Sequence, residues 1–256
     1  PMPATFHQFP YLADNYGVLI RDDATGRTAC VDAGDAAAVM AALQAQGWTL
    51  DELWITHWHH DHTDGMEELR DKTGCTVIGP GYKGGLALSF DKSVTAGDTF
   101  SLGETPVEVW HTPGHTLDMI NFYLPEDGVI FTGDTLFAMG CGRVFEGSHA
   151  QMHESMDGLR ALPAETVIYG GHEYTQANAR FALSVDPGNA ALIARAEEVD
   201  ALRAEGQPTM PTTMAAELAT NPFLRYGDPA IRAHLGMADA TDAAVFSELR
   251  TQKDNF

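Results

Sequence analysis

Through its first two thirds the chain alternates short apolar runs with turns rich in glycine and aspartate, and then its period changes. Asn15-Tyr16-Gly17-Val18-Leu19-Ile20 and Thr28-Ala29-Cys30-Val31-Asp32 flank Asp22-Asp23-Ala24-Thr25-Gly26, which predicts a β-hairpin within a strand-rich segment over 4–34. Asp35 is placed to cap an alanine-rich helix that Gly47 stops. Leu53-Trp54-Ile55-Thr56 predicts a short buried strand, a helix starting at Thr63 runs through Met66-Glu67-Glu68-Leu69 to Gly74, and 75–79 forms the next strand. Residues 80–110 are punctuated by glycine, with Val107-Glu108-Val109-Trp110 alternating as a half-buried strand. Met119 to Leu124 and Val129 to Phe131 predict a second hairpin across Pro125-Glu126-Asp127-Gly128. A helix over 149–161 then leads to a strand, Thr166-Val167-Ile168-Tyr169. Beyond Tyr174, residues 175–205 and 213–252 have helical spacing, interrupted at Pro208, Pro211 and Asn221-Pro222. The expectation is an α+β domain over 1–174 and a helical region over 175–256.

The chemistry-bearing residues fall where predicted strands end. Thr56-His57-Trp58-His59-His60-Asp61-His62-Thr63-Asp64-Gly65 packs four imidazoles and a carboxylate into six positions, His57 to His62. In extended backbone His57 and His59 point the same way, and Asp61 and His62 face a second point nearby. His115 follows the Pro113-Gly114 turn, Asp134 follows the strand ending at Gly133, and His172 follows the strand ending near Tyr169. Sheets of this kind gather ligands at one edge. One ion is expected on His57, His59 and His115, and a second on Asp61, His62 and His172, with Asp134 bridging. Such sites retain open positions, as catalytic rather than structural metals do. Two ions roughly 3.5–4 Å apart can share a hydroxide and polarise a carbonyl. Imidazole and carboxylate suit zinc first, with iron and manganese as alternatives. His7, His60, His111, His149, His153 and His234 lie off this pattern, and Asp32 is a candidate carboxylate behind the ligands.

A hydrophobic fraction of 44% is that of an ordinary globular chain, but the net charge of −21 changes the picture. It opposes binding to nucleic acid or to an acidic membrane, both of which need positive potential. An anionic small-molecule substrate would need a local cluster of cations. Cys30, Cys75 and Cys141 are widely spaced, which points to packed thiols, no disulfide framework and a reducing compartment. The first residues, Pro1-Met2-Pro3-Ala4-Thr5, show neither a basic nor an apolar leader segment, so the cytoplasm is the expected location; a monomer is the expected state.

The His-x-His-x-Asp-His stretch resembles the metallo-β-lactamase superfamily, which implies a four-layer αββα sandwich. Phe131-Thr132-Gly133-Asp134-Thr135-Leu136-Phe137, Gly140-Cys141-Gly142-Arg143-Val144-Phe145-Glu146-Gly147, Gly171-His172-Glu173-Tyr174-Thr175, Asn221-Pro222-Phe223-Leu224-Arg225 and the ending Leu249-Arg250-Thr251-Gln252-Lys253-Asp254-Asn255-Phe256 narrow the resemblance to the glyoxalase II family, the hydroxyacylglutathione hydrolases. The resemblance implies hydrolysis of S-D-lactoylglutathione to glutathione and D-lactate by a metal-bridging hydroxide, the second step of methylglyoxal detoxification. Asp61 and Asp134 would hold the metals and accept a proton, and Arg143, Phe145, Tyr174, Arg250 and Lys253 would take the glutathione moiety. Two positions depart from some family members: Arg143 stands where they have Lys, and Phe145 where they have Tyr. Charge spacing alone would instead put Arg250 and Lys253 on a solvated helix face. A lactonase or β-lactamase would not need the Arg-x-x-Lys ending. A persulfide dioxygenase would use one iron and dioxygen, a nuclease would need basic surface, and a non-enzymatic binder would hold glutathione thioesters without turnover.

Overall fold

The structure is a computed structural model that describes residues 4–256. Within the N-terminal reading, Pro1 to Pro3 lie outside the described residues. The chain divides into two compact units, Pro1–His111 with Thr116–Gly133, and Thr112–His115 with Asp134–Phe256.

The first unit carries strands β1 (Thr5–Tyr11), β2 (Asn15–Arg21) and β3 (Thr28–Val31), helix α1 (Ala36–Gln46), β4 (Glu52–Trp54), the single-turn helix α2 (His60–Thr63), α3 (Met66–Thr73), β5 (Thr76–Pro80), β6 (Lys92–Val94), β7 (Thr99–Leu102), β8 (Thr105–His111), β9 (Ile120–Leu124) and β10 (Val129–Gly133). Strands β1 to β6 form one sheet in chain order, antiparallel through β3 and parallel from there on, while β7 to β10 run as an antiparallel meander. The parallel half is expected where helices α1 and α3 cross over between strands. Their apolar faces, Val39, Leu43 and Leu69, pack on Leu53, Ile55 and Val77. On the other face Trp54 lies 5.2 Å from the rings of both Phe100 and Phe122, so the two sheets close on an aromatic cluster. Truncating a buried ring of this kind costs about 3–5 kcal/mol. Asp35 caps α1 by accepting from the Ala38 amide, and Gly47 ends it in the left-handed conformation, as its pattern requires.

One element differs from expectation. The helix predicted to begin at Thr63 is two helices, because α2 turns at His60–Thr63 and Gly65 separates it from α3. The Gly65 amide donates to the Ala33 carbonyl, and a Cβ there would collide with the backbone of Ala36. The helical start is therefore pulled back into the histidine-rich stretch itself.

The second unit holds β11 (Leu136–Phe137), β12 (Gly140–Cys141), α4 (His149–Arg160), β13 (Val167–Gly170), α5 (Thr175–Val185), α6 (Ala190–Ala204), β14 (Thr212–Thr213), α7 (Met214–Thr220), α8 (Pro229–Leu235) and α9 (Asp242–Asp254). Ser148 and Gln151 close a reciprocal capping box at α4. Helices α5 and α6 pack through Ala179, Ala182, Leu192, Ala196 and Val199, with Met139 of the β11–β12 turn in the same cluster. Strands β11, β12 and β14 are too short for any periodic signal and were not expected. Among the described residues no helix is long and apolar enough to cross a membrane.

Candidate metal centre

In the first unit the ligand residues follow β4. The His57 and His59 rings lie 4.8 Å apart and those of His57 and His62 4.2 Å apart. His57 and His62 are buried, while His59 and Asp61 are partly open. The helical turn α2 places Asp61 and His62 side by side, with His62 Nε2 3.2 Å from Asp61 Oδ2. Behind them sits Asp32, 2% exposed. It accepts from the Thr56 amide at 2.8 Å and the Thr56 hydroxyl at 2.9 Å, and lies 2.8 Å from His62 Nδ1. A carboxylate on Nδ1 makes that nitrogen the donor and leaves Nε2 as the lone pair. Asn15 Nδ2 donates to Asp61 Oδ2 at 2.8 Å, and the Tyr11 hydroxyl donates to the Asp61 carbonyl at 2.8 Å. Burial pushes the Tyr11 phenol far above its ordinary range, so it stays a neutral donor. Gly34 lies so close to the Asp61 carbonyl that any Cβ would overlap it. His60 is exposed and pairs with Asp64 at 2.9 Å on the same helical turn, away from this cluster.

In the second unit His115, Asp134 and His172 converge. His115 Nε2 lies 3.3 Å and His172 Nε2 3.2 Å from the same oxygen, Asp134 Oδ2. All three side chains are nearly fully buried. His115 Nδ1 donates to the Arg143 carbonyl at 2.7 Å, which again leaves Nε2 as the lone pair. The His172 ring stacks on Tyr174 at 4.6 Å with 2° between the planes, and Phe137 stands edge-on to both.

The same unit collects the cations. Arg143 is 54% exposed at its side chain and rests 3.4 Å from Asp254. Lys253 lies over the rings of Phe181 and Phe256. Burial, followed by the charges of Arg250 and Arg180, lowers the Lys253 ammonium below the ordinary lysine range. Arg250 is not on a solvated face: it is 4% exposed, donates to the Cys141 carbonyl at 2.8 Å, pairs with Asp254 at 2.8 Å and lies over Phe223. Phe145 is exposed and meets the His115 ring edge-on at 5.3 Å. Cys30, Cys75 and Cys141 are buried free thiols, and burial raises Cys141 to about 11, as for a packed thiol. Two groups with no motif around them also emerged: Asn15, behind Asp61, and Glu217, buried against the β11–β12 turn.

Comparisons with known proteins bear on both halves of the chain. Residues 15–172 match the family model described as the metallo-beta-lactamase superfamily, and 173–256 match that of the hydroxyacylglutathione hydrolase C-terminus. Hydroxyacylglutathione hydrolases of Brucella ovis and Brucella abortus are 53% identical over 249 residues, covering 97% of this chain and 97% of theirs. The crystal structure of ETHE1 from Myxococcus xanthus is similar with a TM-score of 0.68 and 27% identity, over 96% of this chain and 90% of that one. A protein named TTHA1623, solved in a di-iron-bound form, has a TM-score of 0.61 at 21% identity, over 85% of this chain and 98% of its own, which speaks to the fold alone. The α+β class and the metallo-β-lactamase fold thus agree with expectation, and His/Asp clusters on such a fold indicate divalent-metal binding.

Proposed function

This chain belongs to the hydroxyacylglutathione hydrolase family, and from that premise we propose that it hydrolyses S-D-lactoylglutathione and related 2-hydroxyacylglutathiones at a centre of two divalent ions. The donor geometry fits such ions. A tetrahedral ion with bonds of ~2.0–2.1 Å has ligand-to-ligand edges of roughly 3.3 Å. The His115–Asp134, His172–Asp134 and His62–Asp61 separations are 3.3, 3.2 and 3.2 Å. Direct charge-assisted hydrogen bonds would be shorter, about 2.7–2.9 Å. On this reading His57, His59 and His115 would hold one ion, Asp61, His62 and His172 would hold the other, and Asp134 would be available to both. Zinc is the first candidate, with iron or manganese as alternatives. When bound, the ions supply a water of lowered pKa and polarise the thioester carbonyl.

The chain's own residues do the rest. Asp32 and the Arg143 carbonyl set the tautomers of His62 and His115, so that both present Nε2. Asn15 orients Asp61, and Asp61 or Asp134 accepts the proton released by the attacking water. Glutathione carries two carboxylates, and Arg143, Tyr174, Arg250 and Lys253 form its binding set. Arg143 trades a loose surface pair with Asp254 for a substrate carboxylate, an exchange that costs little because exposed pairs are worth only about 0–1 kcal/mol. Arg250, already committed to Cys141 and Asp254, acts through its charge. Phe145 offers an apolar edge beside His115 where a tyrosine would add a hydroxyl. The leaving thiolate needs no strong acid, since a free thiol has a pKa of about 8.5. The enzyme acts as a monomer in the cytoplasm, a placement resting on three unpaired cysteines.

The observation that carries this reading is Arg143. Its carbonyl fixes His115 while its guanidinium opens to solvent, so one residue joins a metal ligand to an anion site. The test is thiol release from S-D-lactoylglutathione by metal-analysed protein, beside a thioester lacking the γ-glutamyl and glycyl groups. Turnover of the first alone, with about two ions per chain, is expected. Failure to release thiol with both ions bound would overturn the assignment.

A further inference from the structure

All three metal-ligand candidates of the second unit lean on one small element, the β11–β12 hairpin. Asp134 lies two residues before it. After it, Gly142 donates its amide to the Thr135 carbonyl at 3.1 Å and passes so close to the Asp134 carbonyl that a Cβ would overlap it. The next residue, Arg143, accepts from His115. Within the hairpin, Phe137 stands edge-on to His172 at 6.0 Å and to Tyr174 at 5.3 Å. A displacement of the hairpin would therefore be felt at His115, Asp134 and His172 together.

A two-residue turn cannot hold itself this firmly, and this one contains Met139 at a φ of 54°, a left-handed conformation that side chains other than glycine resist. Buried side chains from two helices grip it instead. Asn221, at the end of α7, donates through Nδ2 to the carbonyls of Phe137 at 3.2 Å and Gly140 at 3.0 Å. Asn178 of α5 donates to the Ala138 carbonyl at 3.1 Å. Glu217 of α7 accepts from the Met139 amide at 2.8 Å. Glu217 also accepts from the Thr212 hydroxyl at 2.7 Å and from Asn221 at 3.0 Å, so the gripping groups hold one another. Glu217 is 1% and Asn221 0% exposed. Burial raises the Glu217 carboxyl, and a carboxylate is retained in such a place only where its hydrogen bonds compensate for lost water.

We propose that Glu217 and Asn221 are positioning residues for the metal centre, acting through the β11–β12 hairpin and Phe137 on His172, and through the hairpin's flanks on Asp134 and His115. The inference rests on the metal-ligand assignment made above. Neither residue is among the proposed metal ligands or glutathione-binding residues, so their loss should appear first in metal affinity and kcat, and in KM only through Arg250 and Tyr174, which touch the same hairpin.

The test compares wild type with Glu217→Ala, Glu217→Gln, Asn221→Ala and Phe137→Leu. Each is loaded with zinc and titrated against a competing chelator, and each is loaded with cobalt to record the visible ligand-field spectrum. The two alanine variants, melting cooperatively, are expected to lose about 10–100-fold in metal affinity, as residues that orient ligands do. They should shift the cobalt spectrum and lower kcat for S-D-lactoylglutathione. Glu217→Gln, which can still accept from Met139, should recover most of the affinity. Phe137→Leu leaves the grip intact but cuts the link to His172, so it should reproduce the metal defect; it decides the matter if the alanine variants do not fold. Folded variants with wild-type affinity, spectrum and kcat overturn the inference while leaving the function standing. A wild-type protein that binds no metal instead overturns the function on which it rests.

Discussion

At Asp32 the backbone takes a φ of 60°, a conformation that Asp and Asn tolerate better than larger side chains. Its two oxygens serve the Thr56 amide, the Thr56 hydroxyl and His62 Nδ1. Asp32→Asn would keep the backbone conformation and the bond from the Thr56 amide. It would place an NH2 against His62 Nδ1, force that nitrogen to accept, and move the ring proton to Nε2. Chelator competition should then show metal affinity reduced by about 10–100-fold with the fold intact; unchanged affinity would remove Asp32 from the account. Single residues differ in how far sequence exposes them. His115, Asp134 and His172 stand out because each follows an apolar run that ends in Gly or Pro-Gly. Asp32 was visible as a candidate because it too closes an apolar run. Glu217, in Met214-Ala215-Ala216-Glu217-Leu218, looks like any solvated helical glutamate, and Arg250 looks like part of a charged helix face. Their burial depends on partners about 80 and 110 residues away in the chain, which no local pattern carries.

Elements were legible in proportion to how much of their hydrophobic face lies within a single window. Strands β2 and β3, helix α1 with its Asp35 and Gly47 ends, and the β9–β10 hairpin all satisfy that condition. The hairpin β11–β12 does not: its four strand residues are wholly buried, and side chains from distant helices satisfy its turn. Helix α2 was hidden for a related reason, since its one turn is fixed by the Ala33 and Gly65 backbones rather than by an apolar stripe. The turn between β2 and β3 gives an element-scale prediction. Asp22 accepts there from the Thr25 amide at 3.0 Å and the Thr25 hydroxyl, and it binds the β7–β8 turn through the Glu104 amide at 3.2 Å and the Thr105 hydroxyl at 2.9 Å. Burial works to raise its pKa, but these hydrogen bonds together outweigh burial and lower it. A depressed carboxyl stabilises the fold above its unfolded pKa of about 3.9, and the contribution is lost as pH falls through the lower folded value. Asp22→Asn should cost about 1–3 kcal/mol in urea unfolding at neutral pH, and the gap from wild type should shrink on acidification below the ordinary aspartate range. A gap independent of pH would show that the charge does not matter.

For the whole molecule, the net charge of −21 and the local cations act on the same ligand in opposite directions. A glutathione thioester is an anion, so it approaches against the overall field and, in the binding set proposed above, meets Arg143, Arg250 and Lys253. The two effects have different ranges. Repulsion from charges spread over the surface acts across tens of ångströms and is screened within a Debye length of about 10 Å at 0.1 M salt. In the proposed binding set Arg143 and Lys253 would act on a carboxylate at contact, where screening is weaker. Raising ionic strength from about 0.01 to 0.15 M should therefore increase kcat/KM several-fold and then level off, the reverse of an electrostatically attracted substrate. Arg143→Ala should lower kcat/KM about tenfold at every salt concentration, the worth of one charge-assisted contact, while keeping the upward slope. Alkaline pH should act through Lys253. Its lowered pKa means that the charge is lost earlier than for an ordinary lysine, so KM should begin to rise below pH 10.5 and should do so less in Lys253→Arg. A kcat/KM that falls with salt in the wild type would mean that the local cations govern the approach as well as the contact. The surplus of acidic residues would then have no influence on substrate capture.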